Sequence, residues 1–280
     1  MEMFNQASKI GIIGQGFVGN AVYQKFKNFY NILTFDLIKE KCNSTLEKIK
    51  QECKIVFICV PTPMDKSGKC NTSIVENVVS QFSDLKDVIL INKSTVTPGF
   101  TEKLNSSYKN IQTIFNPEFL TERNSVDDYK NQNRIILGGP RPATTIIKNI
   151  FSKAFPNSII IKTGSKHAEM IKYFTNSFLA TKVSFANEMY DLCSKLDLDF
   201  DKIVEYSLYD KRIGNSHLNV PGPDGDFGFG GHCFPKDLSA IIYLTNELGS
   251  LNNVLKSVRK TNYNVRKNRD WEKMKGRAID

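Results

Sequence analysis

Cys233 stands in Gly228-Phe229-Gly230-Gly231-His232-Cys233-Phe234-Pro235-Lys236-Asp237, the densest concentration of potential chemistry in the chain. Pro235 suits the first position of a helix, because its φ is preset and it has no N–H to leave unbonded. The spacing therefore predicts Cys233 just before a helix N-terminus, where the dipole favours a thiolate. Five glycines, Gly222, Gly225, Gly228, Gly230 and Gly231, precede the cysteine, so its backbone can approach a ligand closely. Asp237 follows four residues later, within the predicted first turn. A single cysteine in a plainer setting reads as a small buried hydrophobe; here it reads as a nucleophile.

Further polar residues sit where a structural explanation is weak. Lys172 and Asn176 are four apart on a predicted helix and share a face, beside Ile171 and Phe174; a solvated face is the plainer reading. In Phe115-Asn116-Pro117-Glu118-Phe119-Leu120-Thr121-Glu122, Pro117 again suits a first helical position, which predicts Glu118 and Glu122 one turn apart on one face. These two carboxylates follow the fifth strand at its carboxyl end, where doubly wound sheets bind ligands.

A second constellation lies near the start. Gly14, Gly16 and Gly19 form GxGxxG directly after an apolar run. The first glycine permits the tight turn, the second lets backbone approach a pyrophosphate, and the third lets helix pack on strand. The helix N-terminus adds N–H donors and positive potential for phosphate. Asp36 ends the next apolar run, about 20 residues on, where a carboxylate accepts both ribose hydroxyls and repels a 2′-phosphate. The cofactor expected from these residues is NAD rather than NADP, and no metal is expected.

These groups need elements to position them. KIGIIG, NILTFD, IVFICV, DVILIN, QTIF, RIILGG and SIIIKT read as strands. Phe17–Phe29, Thr72–Phe82, Gly99–Tyr108 and Pro142–Ala154 read as helices between them. Such alternation means βαβ units and a mostly parallel, doubly wound sheet with helices on both faces. From Ala168 to Leu196 apolar residues recur at helical spacing without Pro or Gly, a helix of about seven turns, expected as the spine of a mainly helical second domain. Leu198–Tyr209 and Pro235 to about Leu248 read as further helices. The expected division is residues 1–164 for the dinucleotide-binding domain and 165–280 for the helical domain carrying the cysteine loop.

Composition narrows the class. The chain has 280 residues, 40% hydrophobic and 24% charged, with a net charge of +9, a profile of globular proteins. Nine Lys and Arg between Lys256 and Arg277 supply much of the charge and read as a solvated helix face. No helix-turn-helix, zinc-finger or RNP pattern accompanies it, so no nucleic-acid partner is expected. MEMFNQASK has no apolar stretch to act as a signal peptide, and no run reaches the roughly 18 apolar residues that span a bilayer. Six scattered cysteines without a CxxC pair, and three histidines, argue against a zinc site or disulfide framework. A cytoplasmic location is the expectation.

Seven segments together resemble the UDP-glucose/GDP-mannose dehydrogenase family, most closely its UDP-glucose 6-dehydrogenase members: GIIGQGFVG, FICVPTPMDKSG, NKSTVTPG, NPEFLTE, EMIKYFTNSFLATKVSFANE, DKRIG and GFGGHCFPKD. They run in family order from about Lys9 to Asn264. The resemblance implies a Rossmann-type first domain, two successive oxidations by NAD in one site, and a thioester on Cys233. It implies that Lys172 and Asn176 stabilise an oxyanion, that Asp237 with a water assists removal of the alcohol proton, and that Glu122 activates water for hydrolysis. Thr95 would hold the water network, with Glu118 beside it. For the cofactor it implies Gly14, Gly16, Phe17, Val18, Gly19, Asp36, Val60, Pro61, Thr62, Thr95, Glu122 and Lys236. For a nucleotide-sugar substrate, UDP-glucose favoured, it implies Glu118, Phe119, Leu120, Lys172, Asn176, Phe229, Gly230 and Cys233. Arg212 matches an arginine that reaches the neighbouring subunit's substrate, so a homodimer is implied. Family enzymes normally carry a third, C-terminal domain of Rossmann type; the sequence stops where it would begin, which leaves two alternatives open, a separate chain that supplies the domain or an enzyme that dispenses with it. Two alternatives stand beside this reading: a non-catalytic NAD-binding homologue, and a two-domain 3-hydroxyacid dehydrogenase, which performs one oxidation and needs no such cysteine.

Overall fold

The computed structural model describes residues 9–280; Met1–Ser8, on which the signal-peptide reading largely rests, lie outside the described residues. The chain forms two compact units. One runs to Thr62 and resumes over Thr72–Lys172; the other comprises Pro63–Asn71 and Tyr173–Asp280. No helix among the described residues is long and apolar enough to cross a membrane.

The first unit contains all seven strands anticipated from the apolar runs: β1 Lys9–Ile13, β2 Asn31–Phe35, β3 Ile55–Ile58, β4 Val88–Asn92, β5 Ile111–Phe115, β6 Arg134–Gly138 and β7 Ile159–Thr163. Every residue of β3 and β4 is buried, as strands covered on both faces require. The order is β2-β1-β3-β4-β5-β6-β7. All pairings are parallel except β5 with β6, which meet antiparallel at Phe115 and Gly138. The chain leaves β1 in one direction to form β2 and returns on its other side as β3, so the switch point falls between β1 and β3.

The helices are α1 Phe17–Phe26, α2 Leu46–Glu52, α3 Ser73–Ser80, α4 Phe100–Ser107, α5 Ser125–Lys130 and α6 Arg141–Ala154. Two of these, α2 and α5, have only seven and six residues, too short to display a 3.6-residue period. Phe26 anchors one face of the sheet, its ring centroid 5.3 Å from Phe57 and 5.2 Å from Phe151, both tilted or edge-on as ring quadrupoles prefer. Full burial of such a ring contributes about 1.5–3 kcal/mol.

The Pro117 expectation fails. Residues 116–121 are irregular and the helix begins only at Ser125, so Glu118 and Glu122 share no helix face. Glu118 is 9% exposed and ion-paired to the buried Lys93, while Glu122 is exposed. A helix from Pro117 would compete with that buried pair, which must stay together once out of water.

Helix α7, Ser165–Lys195, runs without Gly or Pro through 31 residues. Its first turns serve the first unit: Ala168 packs in the core under the sheet, and Glu169 accepts the N–H groups of Gly99 (2.6 Å) and Thr101 (2.9 Å) at the start of α4. Burial pushes the Glu169 carboxyl above its usual range, against those hydrogen bonds, which favour the charged form. Further along, Tyr173, Ala180, Ser184 and Asn187 are buried in the second unit. The large apolar residues lie on another face: Phe174 is 68%, Phe178 57% and Phe185 60% exposed. Apart from Tyr173, small and amide side chains such as Ala180, Ser184 and Asn187 form the buried face, where they permit close helix packing; Phe174, Phe178 and Phe185 are left outward.

The second unit adds α8 Phe200–Ser207, α9 Cys233–Glu247 and α10 Asn253–Val265. Tyr173, Leu238, Ile241, Ile242 and Val258 form its main core. Helix α9 starts two residues earlier than expected, so Cys233 is its first residue rather than its predecessor, and Asp237 falls at the start of the second turn. Pro235 is tolerated at the third position because the first four N–H groups of a helix have no intrahelical acceptor. The C-terminal segment closes on the excursion Pro63–Asn71: Met64 N donates to Ala278 O (2.8 Å), Asp280 N to Met64 O (3.1 Å), and Trp271 is buried against Met64 and Ala278.

Candidate active site

In the first unit the glycine fingerprint lies at the switch point. Gly14 has φ +90°, and a Cβ there would stand 2.5 Å from the Cys59 carbonyl oxygen at the end of β3. A Cβ on Gly19 would stand 1.9 Å from Gly14 O, so helix and turn touch only because Gly19 lacks a side chain. At Gly16 nothing lies within 4 Å of the Cβ position, which leaves open the side from which a diphosphate would approach. Gly16 is the N-cap of α1, no side chain caps that helix, and its first turn, with Phe17 and Val18, contains no acid. Such an end suits an anion.

Asp36 follows β2 directly. Its Oδ2 accepts from Gln15 N at 2.6 Å and its Oδ1 from Ile38 N at 2.9 Å, which aims the carboxylate at the fingerprint turn. Each oxygen retains a lone pair for a further donor. Val60, Pro61 and Thr62 leave β3 beside this turn; Ser94 Oγ donates to Val60 O at 2.6 Å. Thr95, the next residue, is half-buried.

A polar network joins the ends of β4 and β5 to β6. Lys93 Nζ donates to Asn116 Oδ1 at 2.8 Å and lies 3.4 Å from Glu118 Oε2; Asn116 Nδ2 donates to Ile136 O at 2.8 Å. Glu118 Oε1 is buried with no hydrogen-bond partner among the described residues. Lys172, 6% exposed rather than solvated, donates its Nζ to the Glu118 carbonyl oxygen and lies 5.4 Å from the Phe119 ring centroid. Leu120 is half-buried against the sheet core. Lys93 and Asn116 were missed by the sequence reading, although a lysine and an asparagine directly after buried strands are the signal that would reveal them. Burial pushes the Cys59 thiol up to about 12, which disfavours the thiolate that a nucleophile needs.

In the second unit Cys233 is half-buried, with Sγ 3.4 Å from His232 Nε2. Asp237, 1% exposed, accepts from Asn176 Nδ2 at 2.6 Å and from Lys236 Nζ at 2.9 Å. Burial works against the charge on Lys236, but Asp237 outweighs it and holds the ammonium protonated. The lysine expected to touch cofactor or substrate is thus bound to its neighbour.

The glycine loop is pinned from afar. Phe229 N donates to Asn262 Oδ1 (2.7 Å) and Asn262 Nδ2 donates to Phe229 O (3.0 Å), Gly228 N donates to Asn187 Oδ1 (3.0 Å), and Gly231 N donates to Asp270 (3.1 Å). A Cβ on Gly230 would lie 2.2 Å from Arg266 Nη2. Arg266, read as part of a solvated face, is 4% exposed and pairs with Asp224 at 2.7 Å. Arg212 is exposed and pairs with Asp210 in its own turn.

Comparison with known proteins agrees with this geometry. The NAD binding domain of the UDP-glucose/GDP-mannose dehydrogenase family matches residues 36–155, and its central domain matches residues 166–264. The UDP-glucose 6-dehydrogenase of Rickettsia bellii is 36% identical over 225 residues, covering 78% of this chain and 47% of the relative. The structure of a UDP-glucose dehydrogenase from the archaeon Pyrobaculum islandicum superimposes with a TM-score of 0.82 at 24% identity, over 92% of this chain and 68% of that one. Mycobacterium tuberculosis 3-hydroxyisobutyrate dehydrogenase superimposes with a TM-score of 0.73 at 15% identity, over 91% of this chain and 92% of that one. The chain spans about half the length of the curated relatives it matches. The matched domains, the fingerprint that fits a dinucleotide, and the cysteine loop lead to one conclusion: this chain belongs to the UDP-glucose/GDP-mannose dehydrogenase family, and its cofactor is NAD.

Proposed function

We propose that the chain oxidises the primary alcohol of a nucleotide sugar, with UDP-glucose as the favoured substrate, to the carboxylate through a thioester on Cys233. The observation that carries this reading is the buried Asn176–Asp237–Lys236 set on and beside the helix that Cys233 begins. A single oxidation has no use for a cysteine held in that position. NAD, held by Gly14, Gly16, Gly19 and Asp36, supplies the two-electron acceptor for each oxidation.

The chain's own residues handle the protons and the acyl group. Asp237, through a bound water, removes the alcohol proton as the aldehyde forms. The Cys233 thiolate adds to the aldehyde carbon, and the ammonium of Lys172 and amide of Asn176 stabilise the resulting oxyanion. After the second oxidation the thioester is cleaved by water whose proton passes to Glu122; the carboxylate leaves and the thiol is restored. Thr95 and Glu118 support that water, and the unpartnered Glu118 Oε1 favours such a role. Phe119, Leu120, Phe229 and Gly230 line the substrate.

Counting NADH formed per sugar consumed tests the reading, across a panel of UDP- and GDP-sugars. Two NADH supports it. One NADH per substrate consumed, given with a 3-hydroxy acid in place of the sugar, supports the second reading, a two-domain 3-hydroxyacid dehydrogenase; none with either substrate class supports a non-catalytic homologue.

The protein is further proposed to act as a homodimer, in which Arg212 reaches the other subunit's substrate. The outward aromatic face of α7, with Phe174 and Phe178 stacked at 6.5 Å between ring centroids, supports this, because exposed apolar patches mark interfaces. Phe178→Asp should then give a single-chain mass in sedimentation. A wild-type chain already monomeric and fully active would refute the dimer. A cytoplasmic setting completes the proposal.

A further inference from the structure

Beyond the fingerprint, the segment between β2 and α2 is folded back on the edge of the sheet. Strand β2 is the outermost of one side, so its outer N–H and C=O groups have no strand partner. Asn43 takes that place. Thr34 N donates to Asn43 Oδ1 at 2.7 Å, Asn43 Nδ2 donates to Ile32 O at 2.9 Å, and Asn43 N donates to Thr34 Oγ1 at 3.0 Å.

Cys42 continues the same ladder by one residue. Asp36 N donates to Cys42 Sγ at 3.0 Å, and Sγ in turn lies 3.1 Å from Asp36 O, to which the thiol donates. Both backbone groups of Asp36 are thereby held by one side chain. That residue's carboxylate is the one aimed at the fingerprint turn, through Gln15 N at 2.6 Å. Without the clasp Asp36 would sit at the frayed end of an edge strand, with its backbone open to water.

We propose that Cys42, seated by Asn43, is a positioning residue for the adenine-side ribose of NAD. Its thiol fixes the backbone of Asp36 so that the carboxylate meets the ribose hydroxyls and excludes a 2′-phosphate. A thiol both donates and accepts, which this position requires. The clasp acts on cofactor choice, so its test needs no substrate and stands whatever the chain oxidises.

Isothermal titration with NAD and with NADP reads the effect. Cys42→Ala should weaken NAD about five- to tenfold, the worth of about one hydrogen bond, and narrow the preference over NADP. Cys42→Ser, which also donates and accepts, should remain within about twofold of the wild type. Asp36→Ala should itself weaken NAD and relax discrimination; added to it, Cys42→Ala should change NAD affinity less than about twofold, because both act on one contact. If Cys42→Ala melts below the assay temperature, Cys42→Val fills the thiol's space with an apolar side chain and removes the same bonds. The proposal is overturned if the apolar variant binds NAD as the wild type does. It is equally overturned if NAD and NADP weaken by one factor, if the effect persists in Asp36→Ala, or if the serine variant is as weak as the alanine one.

Discussion

Cys233→Ser is expected to lower carboxylate formation by at least about a thousandfold, since a hydroxyl at neutral pH supplies almost no oxyanion where a thiol supplies thiolate. A slow first oxidation can persist. Glu122→Gln should fail differently: the thioester still forms but water is no longer activated, so a burst of NADH is followed by little turnover. Mass spectrometry of Glu122→Gln, mixed with UDP-glucose and NAD, should show the chain heavier by the acyl sugar nucleotide at Cys233. An adduct on another cysteine, or a serine variant at full rate, would remove the thioester from the mechanism. Cys59 is a poor alternative carrier, since burial pushes its thiol up to about 12.

Lys93→Met should be the most destabilising change at the site. The lysine side chain is 1% and the Glu118 side chain 10% exposed, and removing one partner of a buried pair costs roughly 3–5 kcal/mol because it strands the other charge. For a protein of this size that lowers the melting temperature by roughly 6–20 °C. Adding Glu118→Met should recover most of the loss, since an apolar pair of similar volume is nearly neutral. Calorimetry of the two single variants and the double variant decides. A Lys93→Met protein melting within about 2 °C of the wild type would show that the pair carries no such energy. The double variant should hydrolyse the thioester poorly, because the Glu118 carboxylate belongs to the proposed machinery, while the Glu118 backbone carbonyl that accepts from Lys172 is retained.

Much of this molecule is legible in residue order. The apolar runs of β3 and β4 become strands buried at every residue, because burial on both faces demands such composition. Gly14 and Gly19 are required at their positions by contacts of 2.5 and 1.9 Å that no Cβ could occupy, and their spacing with Asp36 announces the cofactor. Freedom from Gly and Pro over 31 residues announces α7.

Other features were decided by packing. The helical period of α7 shows that Phe174, Phe178 and Phe185 share a face, but not whether that face points inward; small residues opposite them won the core. Pro117 signals a helix start, yet Lys93, 25 positions away from Glu118, holds that segment irregular. Arg266 looks like one solvated cation among nine, and its burial against Asp224 arises only once the glycine loop and the end of α10 meet. Period, glycine spacing and turn chemistry depend on neighbours in the chain, so they survive in the order of residues. Partner choice among distant charges depends on which groups folding removes from water together, and that is settled only in three dimensions.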